Sequence, residues 1–280
     1  MTALVARSWL FTPGDRPDRF AKAARCGADV MILDWEDAVA PAAKQAARAA
    51  VLEWLHLGDD APRAWVRIND RHSEFWEQDV DALAAAGKRG LAGVVLPKTQ
   101  SDADVADTVD RLGISGLPIV ALIESALGVE NALSIAISPS VAALALGSAD
   151  LRLDAGLSDD DRGWVYPRSR LVFASRAAGL PGPIDGPEMR LDDTDAVRNS
   201  AAAARAVGFS AKFCLHPRQV PTVNVAFGFD DDTVRWARRV VAAADTSDGA
   251  AVRVDGEMVD RPRLALAHHI LNTVDTKEVS

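Results

Sequence analysis

Residues Val120–Leu151, VALIESALGVENALSIAISPSVAALALGSADL, hold two apolar runs that each end in a carboxylate. Pro118–Ile123 runs into Glu124, and Val141–Leu146 passes through Gly147 to Asp150. Each run is too short for a buried helix and suits a buried strand, with Gly128–Ile137 as the helical connection between them. The unit reads as β-α-β. In parallel sheets reactive groups gather at the C-terminal ends of neighbouring strands, so Glu124 and Asp150 are expected to face one point. Two anionic oxygen ligands at one point suit a hard divalent cation, and we read the pair as a magnesium site. An acid after a strand also commonly caps the next helix, and that is the competing role for both residues.

Working outward, the same alternation recurs. Ser8–Thr12 reads as a first strand, Pro13-Gly14-Asp15 as a turn, and Pro17–Cys26 as a helix. Arg16, Arg19 and Lys22 recur every three residues, so they share a helix face able to hold phosphate groups or simply to be solvated. Val30–Leu33 is a second strand that runs into Asp34-Trp35-Glu36-Asp37, before Pro41 opens an Ala-rich helix to about Leu55. Three acids at one strand end repel one another unless a cation or donors stand nearby, which marks a functional cluster; Lys44 and Arg48 could answer part of the charge. Trp65–Ile68 is a third strand, and Arg67 near its end could fork onto a substrate carboxylate.

A helix over Phe75–Ala86, a strand over Gly93–Leu96 ending in Pro97-Lys98, and a helix over Asp102–Leu112 lead into the central unit. Beyond it, Arg152–Gly163 is acidic and Gly-containing and reads as a long loop, Trp164–Ala178 as a helix, and Ile184-Asp185 as a very short seventh strand. Asp193–Val207 is a further helix and Ala211–Leu215 an eighth strand, ending at His216, a packed or capping histidine. Eight strands alternating with helices, with a polar residue at almost every strand end, indicate an α/β fold of the (β/α)8 barrel type. A doubly wound sheet would carry a Gly-rich fingerprint after its first strand, and none is present.

The barrel domain is placed at 1–228 and a C-terminal extension at 229–280. In the extension Asp232–Ala244 is helical, Thr246–Ala250 a polar linker, Ala251–Asp260 a hairpin turning at Asp255-Gly256, and Pro262–Thr273 a last helix. A barrel does not need this segment, so it is expected to cover its own mouth or a neighbour's.

The 280 residues carry 31 Lys plus Arg against 40 Asp plus Glu, a net charge of −9, which disfavours nucleic acid or an anionic membrane as principal partner. Cys26 and Cys214 show no ligand-type spacing, so neither a disulfide framework nor a zinc cluster is expected. No signal peptide or membrane-length apolar stretch is found, and the expected location is cytoplasmic.

The blocks RSWLFTPGDRPDRFAKA, VMILDWEDAVAPAAKQAAR, VRIN, VVLPKT, ALIESALGVENA, ALALGSADLRLDAGL, PRSRLVFASRAAGLPGPIDG, GFSAKFCLHPRQV and DGEMVDRP, in this order, span nearly the whole chain. Together they resemble the citrate lyase β-subunit-like family of the HpcH/HpaI aldolase superfamily. The resemblance implies a TIM barrel of the phosphoenolpyruvate/pyruvate type, assembled as a homotrimer or a hexamer. It implies a magnesium-dependent carbon–carbon lyase acting between an acyl-CoA thioester and an α-keto acid. On it, Glu124 and Asp150 match the metal ligands, with Glu124 also beside the substrate, and Arg67 matches the substrate-carboxylate arginine. Asp260 matches an acid/base that relatives bring from the tail of an adjacent subunit. Arg16, Arg19 and Lys22 fall in a region that holds coenzyme A phosphates. Glu36 and Asp37 are expected to orient metal-bound water beside the reaction. Trp35 stands where Leu is usual, and with the loop 152–163 it is expected to tune the acyl pocket. The competing readings are a citrate lyase subunit working on an acyl carrier protein, a CoA-independent pyruvate aldolase, and a barrel that binds thioesters without catalysis.

Overall fold

The computed structural model describes residues 6–158, 161–245 and 252–278. Two compact units divide at Phe227/Gly228.

In the first unit eight parallel strands close into a barrel in sequential order. They are β1 (Ser8–Pro13), β2 (Val30–Asp34), β3 (Ala64–Arg67), β4 (Leu91–Leu96), β5 (Ile119–Ile123), β6 (Val141–Leu146), β7 (Ile184–Asp185) and β8 (Ala211–Cys214). Alternate residues point inward, so Trp9, Ile32, Trp65, Val95, Val120, Leu122, Ala143, Ala145 and Phe213 fill the barrel while their neighbours pack on the helices. Large and small side chains complement each other: Trp9 meets Trp65 edge-on at 5.0 Å, and the Trp65 ring lies where a Cβ on Gly93 would stand.

The surrounding helices are α1 (Pro17–Ala23), α2 (Lys44–His56), α3 (Trp76–Ala86), α4 (Asp102–Leu112), α5 (Ala126–Glu130), α6 (Ala132–Ala136), α7 (Ser148–Ala155), α8 (Asp161–Ala177), α9 (Thr194–Val207) and α10 (Val220–Ala226). Local chemistry sets their ends. Ser101 and Asp104 form a reciprocal capping box at α4, Ser125 caps α5 through the Gly128 amide, and Asp193 caps α9.

Three details differ from the sequence reading. The connection after β5 is two short helices meeting at Asn131, whose side chain donates to Gln100 O at 2.8 Å. The segment 152–163 is not a long loop. Helix α7 runs on to Ala155 and is closed by Gly156 at φ +64°, Asp154 Oδ2 accepts the Ala126 amide at 2.7 Å, and α8 already begins at Asp161. Helix α10 is also present, where the reading assigns no element.

The second unit contains α11 (Asp231–Asp245), the hairpin strands β9 (Val252–Val254) and β10 (Glu257–Val259), and α12 (Arg261–Glu278). Val254, Val259, Ala237, Val240, Ala267 and Ile270 form its own small core. Asp255 and Gly256 both take positive φ, 52° and 87°, which the tight hairpin turn requires. The expected linker Thr246–Ala250 lies outside the described residues. No helix among the described residues is long and apolar enough to cross a membrane.

Candidate active site

The ends of β1, β2, β3, β5, β6 and β8 open on a cavity of about 380 Å³. Its charged lining is Asp34, Asp37, Arg67, Glu124 and Asp150, and its apolar lining includes Phe11, Leu122, Leu146, Phe213 and Met189.

Glu124 follows the last residue of β5 and is 5% exposed. Its Oε1 accepts the backbone N–H of Lys98 at 2.7 Å. That amide is aimed by the turn after β4, where Lys98 adopts φ +48°, a left-handed conformation that a lysine rarely takes and that tertiary structure must hold. Glu124 Oε2 lies toward β6, where a Cβ at position 147 would stand 2.2 Å from it; only glycine admits the carboxylate there. Gly147 also precedes the α7 turn that presents Asp150, which is partly exposed. Burial pushes the Glu124 carboxyl well above the usual range, and the nearby charges of Glu36 and Asp150 push the same way.

At the adjacent strand ends Arg67 reaches across the β2–β3 ladder, in which Asp34 and Arg67 are register partners. Its Nε and Nη2 fork onto Asp34 at 2.7 and 2.6 Å, and Nη1 stands 2.8 Å from Glu36 Oε2. That last contact is an ion pair without hydrogen-bond alignment, and among the described residues Glu36 Oε2 has no hydrogen-bonded partner. Lys98 Nζ donates to Glu36 Oε1 at 2.7 Å. Burial raises the Glu36 carboxyl even though Arg67 and Lys98 pull it down. The Arg67 guanidinium lies over the Phe11 ring, 4.6 Å from its centre.

Beneath this layer a second set of buried groups holds the Asp34–Asp37 segment. Lys44 Nζ donates to the main-chain oxygens of Trp35 and Glu36 at 2.6 and 2.8 Å and to Asn69 Oδ1 at 2.8 Å. Asn69 donates in turn to Trp35 O and to Asp79, which Arg48 also meets. Lys44 therefore fixes the backbone of the acidic segment, while Arg67 and Lys98 neutralise its side chains.

The donor set fits a magnesium ion. Glu36 and Asp150 stand close enough to Glu124 to disfavour its ionised form, and Glu124 and Asp150 are oxygen donors at the cavity wall. Among the described residues no cluster of three or more side chains forms a metal cage. Two carboxylates with the remaining positions left to water and substrate is the pattern usual for magnesium.

These features carry the comparison with known proteins. Residues 7–217 match the HpcH/HpaI aldolase/citrate lyase family. The chain belongs to this family. A citrate lyase subunit beta-like protein of Mycobacterium tuberculosis is 36% identical over 273 residues, which cover 94% of this chain and 93% of that protein. An L-malyl-CoA/beta-methylmalyl-CoA lyase of Rhodobacter capsulatus is 31% identical over 310 residues, covering 99% and 97%. The crystal structure of CitE from M. tuberculosis in complex with magnesium, acetoacetate and coenzyme A aligns with a TM-score of 0.78 at 35% identity, covering 96% of this chain and 98% of that one. The HpcH/HpaI resemblance seen in the motifs therefore holds.

Within this family member, Arg67, Glu124, Asp150 and Asp37 line one cavity and Glu36 lies directly behind it. Arg16, Arg19 and Lys22 are exposed around α1, and Arg16 is already forked onto Asp18 at 2.9–3.0 Å. Asp260 is an exposed residue of the second unit that accepts the Arg263 amide at the start of α12. Trp35 does not shape the pocket: it is fully buried, donates to Ala47 O at 3.2 Å and packs against Gly14. His216 is the capping histidine, its Nδ1 accepting the Arg218 amide. Cys214 is buried, which pushes its thiol up to about 12, an inert value. The sequence reading missed three contributors, the Lys98 amide, Asn69 and Asp79. Only the asparagine after VRI gave any sign, as a polar residue at a strand end.

Proposed function

We propose that the chain is a magnesium-dependent carbon–carbon lyase that cleaves, or forms, a 3-hydroxyacyl-CoA thioester from an acyl-CoA and an α-keto acid. The observation that carries this reading is the buried Glu124 facing the Asp150 turn across Gly147, in a mouth whose acids outnumber the cations Arg67 and Lys98. Glu124 and Asp150 hold the ion. Bound there, magnesium supplies Lewis-acid stabilisation of developing oxyanion charge, worth several kcal/mol. The malyl-CoA lyase relatives, and the CitE complex with coenzyme A and acetoacetate, support the substrate class.

Arg67 is pinned by Asp34, has Nη1 beside Glu36 and lines the cavity, where its guanidinium meets the substrate carboxylate. Asp260, brought by the tail of a neighbouring chain in a trimer or hexamer, takes the hydroxyl proton. As the carbon–carbon bond breaks, its electron pair passes to the carbon beside the thioester carbonyl, which is then protonated. Asp34, Glu36 and Lys98 keep the mouth rigid, and Asp37 faces the cavity where it can orient water. Arg19 and Lys22, exposed one turn apart, meet the nucleotide phosphates.

The test is α-keto acid release from malyl-CoA, citramalyl-CoA and citryl-CoA, beside a citryl thioester on an acyl carrier protein. Turnover of a coenzyme A thioester supports the proposal. Turnover of the carrier thioester alone would assign the chain to a citrate lyase complex, and no turnover of any would leave a thioester-binding barrel.

A further inference from the structure

We propose that Lys212 is a positioning residue of this site: its buried ammonium clips the Gly186 carbonyl and so holds the Pro187–Met189 wall against the segment bearing Asp150. Strand β7 is only two residues long, with one register pair to β6 and two to β8, so the ladder ends at Asp185 and does not reach the residues after it. Pro187 and Met189 nonetheless line the cavity.

What fixes them comes from the β8 side. The Lys212 side chain is 2% exposed, and its Nζ donates to Asp185 Oδ2 and, at 2.6 Å, to Gly186 O. Two residues on, Gln219 Nε2 donates to Glu188 O at 2.7 Å. The clipped residue is pressed onto its neighbour: a Cβ at Gly186 would stand 2.5 Å from Ser148 Oγ and 3.2 Å from Leu146 O. Ser148 opens α7, two residues before Asp150. The cavity wall and the Asp150 turn thus lean on each other at Gly186, and Lys212 sets where Gly186 sits.

A buried ion pair is a poor stabiliser compared with apolar packing, whereas a charged donor is effective at fixing geometry. Arg168 Nη2 is 3.8 Å from Asp185 Oδ1, beyond hydrogen-bond distance, and leaves the clip to Lys212.

Because the inference rests on the lyase reading, the experiment separates the two by measuring binding and stability without turnover. Asp185→Asn leaves Lys212 able to donate to Gly186 O but strands a buried cation beside Arg168. Lys212→Met/Asp185→Asn removes both charges and the clip. The thermal midpoint is therefore expected to be higher in the double variant than in Asp185→Asn. The affinity for pyruvate with Mg2+, read by calorimetry, is expected in the opposite order: near wild type in Asp185→Asn and about tenfold weaker in the double variant, because a loosened wall misplaces the ligand.

Affinity that follows stability would overturn the proposal. If the double variant does not fold, Asp185→Asn decides alone: affinity kept despite a lower midpoint supports the clip, and a loss of about tenfold contradicts it. If wild type binds neither Mg2+ nor pyruvate, the lyase reading falls. Hydrogen exchange across 186–190 then decides the clip, with faster exchange in the double variant than in Asp185→Asn supporting it and equal exchange overturning it.

Discussion

Glu124 sits in an environment that favours its protonated form, and in the proposed lyase a bound cation would take the place of that proton. Burial, Glu36 and Asp150 raise its folded-state pKa above the unfolded value, so the metal-free fold binds more protons than the unfolded chain between those two values. This carboxyl therefore costs no stability below the unfolded pKa and increasingly destabilises the metal-free protein as pH rises through the folded pKa. Magnesium binding needs the ionised form and reverses the penalty. Thermal midpoints with and without Mg2+ should therefore diverge more at pH 8 than at pH 5, and calorimetry in buffers of different ionisation enthalpy should show proton release on binding. A pH-independent Mg2+ shift would contradict this. Arg67 depends on geometry as much as on charge. Lys retains the charge but not the fork onto Asp34, so Arg67→Lys should lower turnover on the order of 10²-fold with little change in Mg2+ affinity, as steady-state kinetics and calorimetry would show.

At the scale of elements, the site depends on where β5 and β6 end relative to each other. Gly147 lets the Glu124 carboxylate lie against β6, and Gly147→Ala should displace it, weakening Mg2+ at least about tenfold in calorimetry while the barrel stays folded by circular dichroism. Unchanged affinity would mean that Glu124 can move aside and still bind.

These strand ends were also the most legible part of the chain. Strand Val141–Leu146 and helix Asp102–Leu112 have the bounds read from the sequence, because the residue pattern that marks them is local. Helix α7 was hidden by its acids, of which Asp154 is spent on the α5 amide, a contact 28 residues away in sequence. The Lys98 amide left no trace either, since a backbone donor made useful by a positive φ has no side-chain signature. Arg67 was found as a candidate, but its fork onto Asp34 depends on the register of β2 with β3, which composition does not encode.

For the whole molecule, the second unit has its own core, and its Asp260 is exposed at the head of α12. If a neighbour's tail completes each site, two inactive chains should complement each other. Glu124→Gln and Asp260→Ala, denatured together and refolded in equal amounts, should regain about a quarter of the sites, since half of the chains retain Glu124 and half of their neighbours supply Asp260. Each alone should stay inactive, and no recovery in the mixture would place the acid/base within the same chain.

Metal dependence at the Glu124–Asp150 pair is the property that most directly distinguishes the proposed lyase. The measurement is α-keto acid release from the most reactive thioester of the panel, in wild type and Glu124→Gln, after chelation and after Mg2+ is restored. We predict that chelation abolishes release in wild type, that Mg2+ restores it, and that Glu124→Gln remains on the order of 10³-fold slower at saturating Mg2+. Release that survives chelation, or a Glu124→Gln variant as fast as wild type, would contradict it.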